Sequence, residues 1–222
     1  MALASILIDL DRVFVQLEAT LRSYLAEKPV PQAADQFHPR DEYVLEGVLS
    51  RVWQAWSSFN RSCLIESCLG TTSATGVAIP AVRANLSSGH VSKAAIDVKA
   101  ARFQRSPSWN GTNALLRREP TWGDVDVLNG VVRCLQPRNS AQLLAALSSV
   151  SQHAKTLQCI RNAAAHANTQ TLSEVRARQS AYVSFPIGEA AHALLWLSGP
   201  RRDYLLFHAM EELRTAADAA IQ

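Results

Sequence analysis

Apolar side chains recur at three- and four-residue spacings along most of this chain. The first such series begins near the amino terminus and comprises Ile6, Leu10, Val13, Phe14, Leu17, Leu21 and Leu25. Because one helical turn takes 3.6 residues, side chains at these spacings share one face of an α-helix. Pro29 and Pro31 follow the series and predict the end of this helix.

The same spacing predicts further helices, separated by Gly and Pro residues. A second helix is expected to start after Pro39, with Asp41 as a cap, and to end near Leu69. Residues 80–105 predict one or two weaker helices, and residues 106–123 predict a loop. Later helices are predicted over residues 125–135, from Asn139 or Ser140 to about Arg161, over 174–183, over 187–197 and, after a break at Gly199 and Pro200, over 202–220.

These elements predict an all-α fold, a bundle of about six to eight helices. We expect a single domain over residues 1–222, with N-terminal helices in 1–105, the loop in 106–123 and the remaining helices in 124–222. A chain of 222 residues with 48% apolar and 18% charged side chains can bury one sizeable core. Few segments alternate with period two, so no sheet is predicted.

The amino-terminal apolar run and the cysteines indicate a cellular compartment. The run ends at Asp9, and no stretch approaches the roughly 20 apolar residues of a membrane span. The cysteines, at positions 63, 68, 134 and 159, form no Cys-x-x-Cys pair and have no His at the spacing of zinc ligands. We therefore expect free thiols, no membrane association and a cytoplasmic protein.

Charge is distributed unevenly, although the net charge of +3 alone is too small to indicate a nucleic-acid partner. No Asp or Glu lies between Val127 and Ser173, a run that contains Arg133, Arg138, Lys155 and Arg161. A second run, over residues 83–118, has the single acid Asp97 against Lys93, Lys99, Arg102, Arg105 and Arg117. Such runs are either solvated faces of chance composition or the electrostatic footprint of a polyanion.

One short segment combines two complementary chemistries near the end of the long helix that reaches Arg161. It reads Arg161-Asn162-Ala163-Ala164-Ala165-His166. Arg can hold a phosphate with a planar fork of donors, and His can carry a proton near neutral pH. On a straight helix, Arg161 and His166 lie about 140° apart around the axis, whereas Asn162 and His166 share a face. We therefore expect either a distorted helix or two copies that pair about a two-fold axis.

This Arg-polar-x-x-x-His pattern resembles the signature of the HEPN superfamily, helical proteins of which many are metal-independent ribonucleases. The resemblance implies a HEPN-like fold, a two-fold homodimer that forms a cleft from two motifs, and RNA cleavage by attack of the ribose 2′-hydroxyl. It implies Arg161, His166 and Asn162 as catalytic residues. It also implies a toxin or anti-phage defence effector, with an antitoxin or defence-system protein as partner.

The residues near the motif agree with chemistry that needs no cofactor, since no carboxylate cluster or Cys/His set for a metal lies nearby. Lys155, Arg176 and Arg178 are weaker candidates, which either steer the RNA backbone or are solvated charges. Tyr182 either stacks on a base or closes the core. The chain departs from short toxin members of the superfamily, which have Tyr two residues after the His, at the position of Asn168.

Two questions remain open at the level of the sequence. Trp109 and Trp122 of the predicted loop are either lids on the core or anchors for a partner. The alternative function is a non-catalytic helical module that dimerises or scaffolds a partner, in which Arg161 and His166 make structural hydrogen bonds. Metal-independent cleavage of RNA separates this alternative from a nuclease.

Overall fold

The computed structural model describes residues 2–27, 30–31, 33–166, 168–199 and 201–222, and it is mostly helical. The α-helices are α1 (Leu3–Ala26), α2 (Pro39–Leu69), α3 (Ser88–Ala100), α4 (Val125–Leu135), α5 (Ser140–Ala165), α6 (Thr169–Arg176) and α7 (Leu205–Ile221). Two short antiparallel strand pairs accompany them, β1 (Thr71–Thr72) with β2 (Ala78–Ile79) and β3 (Leu197–Ser198) with β4 (Asp203–Tyr204). The prediction of an all-α fold is confirmed at this level.

The helices predicted from strong periodicity are confirmed. α1, α2, α4 and α5 cover the predicted segments, and α3 is the single α-helix within residues 80–105, for which one or two weaker helices are predicted. Asp41 lies in the first turn of α2, where its Oδ2 accepts a hydrogen bond from the His38 backbone N–H at 3.0 Å. Pro29 and Pro200, which the sequence indicates as helix stops, lie outside the described residues.

The predicted helix over 187–197 is wrong. Residues 190–195 form a 3-10 helix, and β3 follows directly. All six side chains of that 3-10 helix are buried, so no polar face marks a helical period in this segment. The helix predicted over 174–183 begins earlier, as α6, and ends at Arg176.

The described chain divides into two compact units, and each division falls inside a helix. Unit 1 comprises residues 1–11, 56–151 and 214–222, and unit 2 comprises residues 12–55 and 152–213. The boundaries therefore lie within α1, α2, α5 and α7, and no change of composition marks them in the sequence.

Unit 1 holds its long loop through one buried carboxylate, that of Glu119, whose side chain is 5% exposed. Arg61 donates to both carboxylate oxygens, at 2.6 and 2.8 Å, and Ser92 Oγ and Trp122 Nε1 donate at 2.6 and 2.8 Å. Burial raises the pKa of Glu119, but the hydrogen bonds from Arg61, Ser92 and Trp122 outweigh it, so that this pKa lies below its ordinary value. Trp122 is itself buried and closes the core of unit 1.

Phe103 packs face-on against α4 at Gly130, where a Cβ atom would lie 2.6–2.7 Å from ring carbons of Phe103. The closest ring atom is Cγ, which rotation about the Cβ–Cγ bond does not move, so a flip of the ring would not relieve this contact. We expect Gly130→Ala to lower the free energy of unfolding by about 1–3 kcal/mol, measured by urea denaturation. The control is Gly47→Ala in α2, where nothing lies within 4 Å. That variant should gain about 0.5–1 kcal/mol from helix propensity; equal effects of the two variants would contradict the proposed clash.

Unit 2 buries an imidazole, that of His192, which is 2% exposed. Its ring stacks on Phe37, with 3.7 Å between centroids, and its Nε2 lies 3.2 Å from Glu42 Oε1. Burial lowers the pKa of His192, and the hydrogen bond with Glu42 only partly offsets this effect. The folded protein therefore favours the neutral form of this ring.

A lowered His pKa in the folded state makes stability depend on pH. Because the unfolded chain takes up the proton more readily, the free energy of unfolding should fall as pH decreases below about 6.5. Urea denaturation at pH 7.5 and 5 measures this loss. His192→Asn should remove part of the pH dependence, and His38→Asn, at an exposed position, should retain it. An unchanged pH dependence in His192→Asn would contradict this assignment.

Candidate functional site

The α5 motif, residues 161–166, lies at the carboxyl end of α5 within unit 2. Leu157, Ile160 and Ala163 are buried and fix this end of the helix to the core. Arg161 and His166 are exposed, and Asn162 is half-buried between them in sequence. The helical setting predicted for the motif is therefore present, with its polar side chains at an accessible helix end.

Arg161 turns towards Asn162. Its Nη1 donates to Asn162 Oδ1 at 3.3 Å. Since Asn162 and His166 are four residues apart, this bond directs the guanidinium towards the face on which His166 lies. Among the residues that the structure describes, neither Arg161 nor His166 forms an ion pair, and the remaining N–H groups of Arg161 have no acceptor.

The backbone at His166 is held by the residues that follow it. Its N–H donates to the carbonyl of Asn162 at 3.0 Å, and its own carbonyl accepts from Asn168 Nδ2 at 2.8 Å and from Thr171 Oγ1 at 3.2 Å. Asn168 also caps α6, because its Oδ1 accepts from the Thr171 N–H at 2.9 Å. These contacts fix the position of His166 and leave its imidazole without a partner among the described residues. Ala167 lies outside the described residues.

Asn168 is the site residue whose role sequence reasoning missed. It occupies the position at which the toxin-type pattern has Tyr, and no structural or catalytic role was assigned to it from the sequence. The signal that indicates its role is the Asn168-x-x-Thr171 spacing, because a polar residue three positions after an Asn is typical of a capping box at the start of a helix.

The three weaker RNA-binding candidates differ in their surroundings. Lys155 lies seven residues before Asn162 and eleven before His166, on the same face of α5. Arg176 Nη2 donates to the Ile187 carbonyl at 3.0 Å. Arg178 Nη1 donates to Thr156 Oγ1 at 3.3 Å, and its Nε is buried without a partner among the described residues. Arg176 and Arg178 thus hold the segment after α6 in place with part of their donor sets.

Tyr182 packs towards the core of unit 2. Its ring lies 6.0 Å from that of Trp196, and the residue is half-buried. Burial raises the pKa of Tyr182, while a hydrogen bond with Thr156 and the charge of Arg178 act in the opposite direction. Of the two roles left open for this side chain, closure of the core agrees with its surroundings.

Neither a metal-binding cluster nor a membrane-spanning helix is present among the described residues. They contain no group of three or more His, Cys, Asp or Glu side chains placed to hold a metal ion. No helix that the structure describes has the length and apolar character needed to cross a membrane.

Comparison with known proteins adds no further identification. No family model, curated protein or solved structure matches this chain. The assignment of a function therefore depends on the chemistry of the α5 motif and on its surroundings in unit 2.

Proposed function

We propose that this chain is a metal-independent endoribonuclease that cleaves RNA at the α5 motif. The observation that carries the proposal is the hydrogen bond between Arg161 and Asn162. It directs a guanidinium towards the helix face of an exposed imidazole, with no carboxylate bound to either group in the described part of the chain. A guanidinium without a carboxylate partner, five residues from an exposed imidazole at the same helix end, suits the phosphodiester group, which needs charge stabilisation and proton transfer together.

The chemistry is a transesterification within the RNA strand. The ribose 2′-oxygen forms a bond to the adjacent phosphorus, and the bond from phosphorus to the 5′-oxygen breaks. His166 takes the proton of the 2′-hydroxyl as general base or gives a proton to the leaving 5′-oxygen as general acid. Arg161 stabilises the negative charge that builds on the non-bridging oxygens. The products are a 2′,3′-cyclic phosphate and a 5′-hydroxyl.

One imidazole performs one proton transfer well, and a second transfer needs a second group. We propose that two protomers pair about a two-fold axis, so that each motif contributes to one cleft. The small side chains of Ala164 and Ala165, half-buried and exposed respectively, permit a close approach of a second helix end. Lys155, Arg176 and Arg178 would lie around such a cleft and contact flanking phosphates.

The biological role that we propose for this nuclease is that of a toxin or anti-phage defence effector in the cytoplasm. An antitoxin or another defence-system protein would hold its activity in check. The support for this role is the likeness of the α5 motif to that of HEPN ribonucleases. Purification of the protein together with its neighbours in the genome would identify such a partner.

The test is incubation of the purified protein with end-labelled RNA in the presence of EDTA. We expect cleavage that chelation leaves unchanged, and products that end in a cyclic phosphate and a 5′-hydroxyl. A matched RNA with a single 2′-deoxy nucleotide at the cleavage position should remain intact at that position, because the nucleophile is missing. DNA of the same sequence should not be cut.

Two results would contradict the proposal. One is RNA that stays intact with protein shown to be folded and free of bound partners, which would favour the non-catalytic scaffold. The other is cleavage that EDTA abolishes or that extends to DNA, because neither fits attack by a 2′-hydroxyl on a metal-free site.

A further inference from the structure

Unit 1 carries four exposed arginines, two in the segment after α3 and two where α4 ends and α5 begins. We refer to this surface as the α4 basic face, and its arginines are Arg102, Arg105, Arg133 and Arg138. None of their guanidinium groups forms a hydrogen bond or an ion pair within the described residues. Two open grooves lie along it, one lined by Arg102 and Arg105 and the other by Arg133 and Arg138.

The packing of Phe103 brings the two pairs of arginines together. The ring of Phe103 contacts α4 at Gly130, and the Phe103 carbonyl accepts from Cys134 Sγ at 3.6 Å. Arg102 precedes Phe103 and Arg133 precedes Cys134 in the chain. Because consecutive Cα atoms are about 3.8 Å apart, the backbones of these arginines lie next to this contact.

No carboxylate of the described residues forms an ion pair with these four arginines. Asp97, at the edge of one groove, is bound by Lys93 Nζ at 2.6 Å. Asp124 and Asp126 belong to the amino-terminal end of α4, nine and seven residues before Arg133, which corresponds to a rise of about 13.5 and 10.5 Å along the helix. The four guanidinium groups therefore line these two grooves without a carboxylate partner in the described part of the chain.

We infer that the α4 basic face binds the phosphate backbone of single-stranded RNA. The charge pattern calls for a polyanion, and the choice of RNA rests on the proposed function. The grooves are lined mainly by polar side chains, so the contacts are with phosphates and carry no base preference. Binding is consequently independent of sequence and falls steeply with salt, as released counterions require. The face lies in unit 1, whereas the α5 motif belongs to unit 2.

The experiment measures binding separately from cleavage. The probe is a fluorescent 2′-O-methyl RNA, which carries the same phosphates but lacks the attacking hydroxyl. Its affinity is followed by anisotropy between about 50 and 200 mM salt. We compare the double variants Arg102→Gln/Arg105→Gln and Arg133→Gln/Arg138→Gln with the control Arg117→Gln/Arg118→Gln. The control removes two exposed charges from the same unit.

Each test variant should bind this probe on the order of tenfold more weakly at low salt. The slope of log affinity against log salt should decrease by about 1.4, which is roughly 0.7 for each lost phosphate contact on a single strand. The control should match the wild-type protein. Circular dichroism verifies that all variants are folded.

Several outcomes would overturn the inference. One is a slope of log affinity against log salt that is unchanged in both test variants, and another is an equal loss of probe binding in the control. The others are absence of probe binding by the wild-type protein, and test variants that lose binding to anionic phospholipid vesicles but keep binding to the RNA probe. Failure of the proposed function gives a different pattern, because arginine-dependent binding of the probe would persist while unmodified RNA stayed uncut. Cleavage that the test variants leave unaffected at every salt concentration would refute only the docking surface.

Discussion

The His166→Ala variant is expected to cleave RNA about 10²–10⁴-fold more slowly than the wild-type protein, because it loses the group that transfers a proton. Arg161→Ala should lose about 10²–10³-fold, the effect of removing a preorganised donor to developing charge. Both side chains are exposed, so the variants should fold as the wild-type protein does. Rates under single-turnover conditions in EDTA measure the two effects.

The chain offers a matched control for each variant. Arg51 is an exposed arginine of unit 2 whose Nη1 donates to Gln54 Oε1 at 3.3 Å, the same distance as in the Arg161–Asn162 contact. His38 is an exposed histidine of the same unit. Arg51→Ala and His38→Ala should cleave at the wild-type rate. Equal losses in the controls, or full activity in His166→Ala, would remove the α5 motif from the reaction.

A further variant separates charge from geometry at Arg161. Arg161→Lys keeps the positive charge but removes the planar fork that holds two oxygens of one phosphate. If the fork matters, Arg161→Lys should resemble Arg161→Ala in its cleavage rate. A rate near that of the wild-type protein would reduce the role of Arg161 to that of a point charge.

The sequence predicted best those elements in which packing leaves one face buried. α1 and α4 show this pattern, with buried apolar side chains at helical spacing. The prediction from hydrophobic periodicity failed for residues 190–195. All six side chains there are buried, so no exposed polar face defines a helical period. The strand pairs escaped prediction because two residues are too few to show alternation.

The residues of the candidate site are named from the sequence, and their role stays a prediction, whereas their contacts come from the structure. Adjacent side chains on a helix point about 100° apart, so spacing alone separates Arg161 from the face of Asn162 and His166. Only the length of the arginine side chain allows the contact with Asn162, and no periodicity rule encodes a rotamer.

The α4 basic face shows the same limit on a larger scale. Arg102 and Arg105 belong to one acid-poor run of the sequence, and Arg133 and Arg138 belong to another. The sequence showed both runs but not that they meet. The meeting depends on Gly130, since any larger side chain at that position would exclude the ring of Phe103.

The Glu119→Gln variant is expected to lower the free energy of unfolding by about 3 kcal/mol, near the lower end of the cost of breaking a buried ion pair. The side chain of Arg61 is 31% exposed, so water offsets part of the loss. The amide cannot accept all the hydrogen bonds that Arg61, Ser92 and Trp122 donate to the carboxylate. Urea denaturation measures the change, and trypsin cleavage at Arg117 and Arg118 reports release of the loop.

The control for Glu119→Gln is Asp97→Asn, which breaks the half-exposed pair with Lys93 and should cost less than about 1 kcal/mol. The pH dependence gives an independent check. Because the folded-state pKa of Glu119 is lowered, its contribution is complete above the ordinary value of 4.5 and is lost as pH falls towards the folded-state pKa. The difference in stability between the wild-type protein and Glu119→Gln should therefore shrink below about pH 4.5. A difference that stays constant down to pH 3 would mean that the charge of Glu119 does not hold the loop.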